Sequence, residues 1–205
     1  MLDKPTENGE NMILGITGGI GTGKSTVLNI LKEKYNFIIF EADKIAHEVM
    51  NPNGIAYNEI VDYFGDEILY SDSSIDRKKM SSIVFNNKEK LEKLNSIVHP
   101  AVIKEILQRI EKNKALGYDD FVIEAALLIE SGCSKVCDMV WYVYADESVR
   151  VERLIKNRNM TAKQIENVIK NQMSHEFFLN NTNAIIDNSK SFEDTCMQVQ
   201  KLLEF

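Results

Sequence analysis

The stretch MILGITGGIGTGKST, Met12–Thr26, decides how the rest of this chain is read. Met12–Thr17 is a short apolar run that stops at glycines, the signature of a buried strand. Gly18 to Ser25 then matches G-x-x-x-x-G-K-[ST]. From Thr26 to Lys34 the apolar residues Val27, Ile30 and Leu31 recur at helical spacing. Phe37–Phe40 is a second short apolar run. Strand, loop, helix and strand in that order form the unit from which parallel sheets are built. The glycines let successive backbone N–H groups turn inward around an anion, and the following helix adds the positive end of its dipole. Gly18, Gly19, Ile20, Gly21, Thr22, Gly23, Lys24, Ser25 and Thr26 are therefore candidate contacts to a nucleoside triphosphate. Lys24 reaches its β- and γ-phosphates, and the Ser25 hydroxyl is suited to Mg²⁺.

Beyond this unit the pattern changes. From Asp43 to about Leu116 it is helical: Ile45, Val49 and Met50 mark one helix, and Ile60, Val61 and Phe64 a second that Gly65 ends. Asp76 reads as the N-cap of a helix over Arg77–Phe85. Leu91 to Ile110 reads as a long helical stretch that Pro100 breaks or kinks. Strand character returns at Phe121–Ala126 and Val140–Ala145, where Trp141 and Tyr142 read as core packing. Two polar helices follow, Glu147–Arg158 and Ala162–Met173. Ala184–Asp187 is a last strand and Ser191–Leu203 a closing helix.

Glu41 and Asp43 follow the second strand, two apart. Ligands of open parallel sheets bind at the carboxyl ends of strands, and an acid there can take a proton from an attacking hydroxyl. Asp43 is equally readable as the cap of a helix starting at Lys44.

Composition narrows the function. With 205 residues the chain suits one α/β core with insertions. A formal net charge of −7 argues against nucleic acid as the main partner. The cysteines, Cys133, Cys137 and Cys196, are odd in number and contain no C-x-x-C, which fits reduced thiols in a cytoplasmic protein. No run is long and apolar enough to cross a membrane. Residues 1–11 are polar and read as a disordered leader.

TGGIGTGKST (Thr17–Thr26) followed by EADKIAHEV (Glu41–Val49) resembles the dephospho-CoA kinase family. Further matches come in order: Asp76-Arg77 with Ile83-Val84-Phe85; Ile97-Val98-His99-Pro100; Leu127-Leu128-Ile129-Glu130-Ser131-Gly132; Arg153 and Arg158; Gln172; and Ile186-Asp187-Asn188-Ser189. The resemblance runs from Met12 to the C-terminus. It implies a three-layer α/β fold of the P-loop type, with a five-stranded parallel sheet, a helical substrate-binding insertion and a helical lid. The expected organisation is a core of 12–43, 117–149 and 177–205, an insertion of 44–116 and a lid of 150–176.

The resemblance also implies ATP and dephospho-CoA as substrates, Mg²⁺ as cofactor and the ribose 3′-hydroxyl as acceptor, giving CoA and ADP. Lys24, Asp43 and Arg158 become the expected catalytic residues, with Asp43 as base. Arg153 and Asn188 join the ATP site. Asp43, Arg77, His99 and Glu130 are expected on the acceptor, and Ser25 and Glu124 on the metal. A monomer or weak homo-oligomer is expected. The chain departs from the family pattern at Glu41, His47, Glu124 and Ala126, where the family has aspartate, arginine, aspartate and proline. The rival readings are another small-molecule or nucleoside monophosphate kinase, and a nucleotide-dependent switch. Against the switch, Asp62-Tyr-Phe-Gly65 fits D-x-x-G only inside a helical pattern, and Asn113-Lys114 does not continue as N-K-x-D.

Overall fold

A computed structural model of the chain describes residues 12–204, so the leader assigned to residues 1–11 lies outside the described residues. Two compact units emerge: residues 12–40 with 117–204, and residues 41–116.

The first unit is built on five strands, β1 (Met12–Thr17), β2 (Ile38–Glu41), β3 (Asp120–Glu124), β4 (Met139–Tyr144) and β5 (Ala184–Asp187), in the order β2-β3-β1-β4-β5. The sheet is parallel, with Ile13 opposite Phe121, Ile16 opposite Trp141 and Val143 opposite Ile186. β1, the middle strand, is flanked by two others, which is why its glycine-rich end sits at the centre of the sheet edge. Strand residues alternate between faces. Leu14, Ile16, Val122, Trp141, Val143 and Ile186 turn to one side. There they form a buried cluster with Val27, Ile30 and Leu31 of α1 (Lys24–Tyr35). Val199 and Leu203 of α9 (Phe192–Leu203) complete it. Trp141 is fully buried in this layer and its indole N–H has no hydrogen-bond partner, an unsatisfied donor that costs about 1–3 kcal/mol. The opposite face of β4 carries Tyr142 and Tyr144, and a Cβ at Gly15 would strike Leu128 at 2.7 Å.

After β4 come α6 (Glu147–Arg158), α7 (Ala162–Lys170) and α8 (His175–Asn181). Thr161 and Gln164 form a capping box at the start of α7, and Ser174 caps α8. The single helix expected over Ala162–Met173 therefore stops at Lys170, and a second, seven-residue helix follows it. That helix is held by Phe178 stacked on Tyr142, with ring centroids 4.6 Å apart. The contact is made far along the chain, so no local period announces it.

The second unit is all helical: α2 (Ala42–Val49), α3 (Tyr57–Phe64), α4 (Arg77–Phe85) and α5 (Lys88–Lys114). The first three pack on α5. Gly65 ends α3 with φ 80°, and the Asp76 carboxylate accepts from the backbone N–H groups of Lys78 and Lys79 at the head of α4. Those bonds hold the Asp76 carboxyl below its ordinary range. The break expected at Pro100 is absent: α5 runs unbroken through it for 27 residues. A proline removes one backbone donor. Ile97, Val98, Val102, Ile106 and Ile110, all buried, anchor the helix on both sides of that loss.

Candidate active site

The phosphate loop joins β1 to α1. Gly23 precedes the helix with φ 86°, a left-handed conformation that side chains resist. A Cβ there would lie 2.0 Å from Asn188 Nδ2. Asn188 itself is buried, donates to Thr22 O at 2.8 Å and accepts from Thr195 Oγ1 at 2.9 Å. The loop is thus braced by the turn that follows β5. Arg153 reinforces the brace, with Nη1 donating to Thr22 O at 3.3 Å and Nη2 to Asn188 O at 2.8 Å.

Lys24 folds back over its own loop. Its Nζ donates to Gly18 O at 2.9 Å and stands 3.5 Å from the Glu124 carboxylate at the end of β3. An ammonium held between a carbonyl and an acid is oriented in advance for phosphate oxygens. Ser25, the next residue, is exposed in the first turn of α1.

Two further groups close on the loop from the other side. Gln172 Oε1 accepts from the N–H of Ile20 at 3.3 Å and from Arg150 Nη2 at 2.7 Å. Arg150 Nε donates to Ile20 O at 2.9 Å. Gly19 is required here by closeness: a Cβ would meet Gln172 Oε1 at 2.6 Å. Arg150 escaped the sequence reading because its partner lies 130 residues away. The available signal was its three-residue offset from Arg153, which puts both on one side of α6.

The remaining residues marked in the sequence are distributed as follows. Arg158 is the last residue of α6 and exposed. Glu130 is exposed in the turn after β3. In the helical unit, Asp43 lies in the first turn of α2, with Glu41 and not Asp43 at the N-cap, so the reading of Asp43 as a cap is overturned. Asp43 and His47 are four apart and both exposed, and Arg77 donates to His47 O at 3.4 Å. His99 is partly buried on α5, and desolvation pulls its imidazole below the usual value. Burial pushes the Cys137 thiol up to about 12, so it is no nucleophile.

A parallel sheet with a glycine-rich loop, a lysine folded back over it and a helix N-terminus at its centre defines a P-loop nucleotide-binding protein of the kinase type. The chain belongs to the dephospho-CoA kinase family, whose model it matches over residues 12–194. A dephospho-CoA kinase of Carboxydothermus hydrogenoformans is 40% identical over 94% of this chain and 93% of its own length. One from Aquifex aeolicus is 42% identical over 93% and 95%. Among solved structures, dephospho-CoA kinase from Campylobacter jejuni is similar with a TM-score of 0.66 and 27% identity, over 94% of this chain and 95% of that one. The family's reaction is ATP-dependent phosphorylation of dephospho-CoA, a step of coenzyme A synthesis. Among the described residues, no helix is long and apolar enough to cross a membrane.

Proposed function

We propose that the chain transfers the γ-phosphoryl group of ATP in line to the 3′-hydroxyl of the ribose of dephospho-CoA, releasing CoA and ADP. The observation that carries this reading is the poise of Lys24, held between Gly18 O and Glu124 inside a loop braced by Asn188. The loop amides from Gly18 to Thr26 grip the phosphates. Lys24 offsets charge that builds on the γ-phosphoryl oxygens. Arg153, bonded to the Gly23 end of the loop, positions the nucleoside side with Asn188. Arg158 supplies a second cation as segment 150–176 folds over the nucleotide, a contribution of about 10³-fold or more for such arginines.

Mg²⁺ fits this donor set. Among the described residues no cluster of three or more His, Cys, Asp or Glu forms a self-sufficient metal site. Ser25 follows Lys24 in the chain, and the Glu124 carboxylate stands 3.5 Å from Lys24 Nζ. One hydroxyl and one carboxylate are what an ion arriving with nucleotide phosphates needs. Held there by Ser25 and Glu124, the ion would supply positive charge against the phosphate oxygens. Glu124 does the work of the family's aspartate from a side chain one methylene longer.

Asp43 orients the ribose hydroxyl and takes its proton. Residues 44–116 hold the acceptor, with Arg77 and His99 on that unit and Glu130 on the turn after β3. The protein acts in the cytoplasm, in keeping with its reduced cysteines, as a monomer or weak homo-oligomer.

ADP release measured with dephospho-CoA against AMP, CMP and shikimate tests the acceptor: turnover is expected with dephospho-CoA alone, and preference for another acceptor overturns the reading. Asp43→Asn is expected to retain ATP binding and to lose at least 10²-fold in kcat, the usual worth of a general base. Wild-type turnover in that variant removes Asp43 from the chemistry.

A further inference from the structure

A cavity of about 350 Å³ lies between β4 and the α7–α8 segment, bordered on one side by the Gly19, Arg150 and Gln172 contacts of the loop. One wall is aromatic. Tyr142 stacks on Phe178 with ring centroids 4.6 Å apart and planes within 15°. His175 leans over both tyrosines, 5.6 Å from the ring of Tyr142 and 4.9 Å from that of Tyr144. The His175 Nδ1 and Tyr142 hydroxyl are 3.4 Å apart. His175 is exposed and Tyr144 half-buried, so ring surface is open to a ligand. Gly19 forms part of the lining.

That last contact fixes which end of the phosphate chain the cavity faces. Lys24 Nζ rests on Gly18 O, and the P-loop lysine reaches the β- and γ-phosphates. The Gly18–Gly19 end of the loop is therefore the γ end. Asn188 and Arg153 grip the loop at Thr22 and so mark the opposite, nucleoside end. An aromatic cavity at the γ end sits where the acceptor presents its hydroxyl, not where the donor keeps its base. On the reading that the acceptor hydroxyl belongs to the ribose of dephospho-CoA, the acceptor group nearest the γ-phosphate is its own adenosine. The volume is at the small end for ligand pockets, which suits one nucleoside and excludes the whole acceptor with its pantetheine arm.

We propose that this cavity seats the adenine of the acceptor, with His175 and Tyr144 stacking on the base. The polar rim matches. Gln172 Oε1 is engaged by Ile20 and Arg150, which leaves its amide nitrogen to donate to a ring nitrogen. Glu147 lines the cavity and offers an acceptor to the exocyclic amine. The cavity thus acts in specificity, choosing an acceptor by its purine.

Steady-state kinetics of the intact protein test this through His175→Ala and Tyr144→Leu, with melting curves to confirm folding; His175 is exposed and its loss spares the core. Both variants are expected to raise KM for dephospho-CoA about tenfold or more, as loss of one base–aromatic stack does, with KM for ATP within about twofold. His175→Phe should recover most of that loss relative to His175→Ala, and free adenosine should compete with dephospho-CoA in the wild type far better than in His175→Ala. A rise in KM for ATP instead assigns the cavity to the donor's base and overturns the proposal. Unchanged KM for both substrates overturns it as well, while leaving the overall function standing. A wild-type enzyme inert towards dephospho-CoA sinks the underlying reading and this one together.

Discussion

Gly23 and Asn188 show how little room the phosphate loop has. The Cα of Gly23 is pressed so close to the Asn188 amide that a methyl group would overlap it, and its backbone angle is one that alanine resists. Gly23→Ala is expected to lower kcat/KM for ATP by about 10- to 100-fold, the equivalent of 1–3 kcal/mol of local strain. Asn188→Ala acts differently. It removes the bonds to Thr22 O and from Thr195 Oγ1, which keep Arg153 Nη1 and Ser191 O as remaining partners, so the urea midpoint should fall by an amount equivalent to about 1 kcal/mol, the net worth of an ordinary hydrogen bond. Stability unchanged in Asn188→Ala would mean that water replaces the brace. Both residues were legible from sequence as members of motifs. Their mutual contact was not, because it joins positions 165 apart.

Elements were legible where a local rule acts alone. The strand–loop–helix of Met12–Tyr35, the Gly65 stop and the Asp76 cap all follow from residue type and spacing. They were misread where distant packing decides. α5 keeps its course through Pro100 because buried aliphatic residues on either side outweigh one missing backbone bond. α8 exists because Phe178 finds Tyr142. Arg150 belongs to the same class: on paper it is an ordinary polar residue of α6, and Gln172 is marked only by the family resemblance, yet in space the two clamp the Ile20 peptide. A clamped amide exchanges its hydrogen slowly. Gln172→Ala is expected to speed exchange at the Ile20 amide by about tenfold, the worth of one hydrogen bond of ordinary strength, without altering exchange in β3. Equal rates in variant and wild type would show that the clamp does not persist in solution.

For the whole molecule, His99 is expected to make stability depend on pH. Its pKa in the folded chain lies below the unfolded value of about 6.5 because burial disfavours the charged ring. The unfolded chain therefore binds the proton first. The contribution is complete above about pH 6.5 and is lost as pH falls through the depressed folded value. The urea midpoint should drop between pH 7.5 and 5.5, and His99→Gln should shrink that drop. An equal drop in the variant assigns acid sensitivity to other groups. The expected division of labour between a sheet-bearing core and a helical insertion rests on the same principle of scale: apolar period 2 or 3.6 reveals each element, but only the sheet order reveals that the first strand is central.

The bond from Asn188 to Thr22 carries a consequence for the chain as it is made. The glycine-rich loop is translated early, yet its brace comes from the turn after β5, 166 residues later. A nascent chain emerging from the ribosome can collapse its first strand and helix long before that turn appears. Until β5 pairs with β4 and delivers the asparagine, the loop lacks that brace, so on the proposed function full ATP affinity is expected only once the sheet is complete.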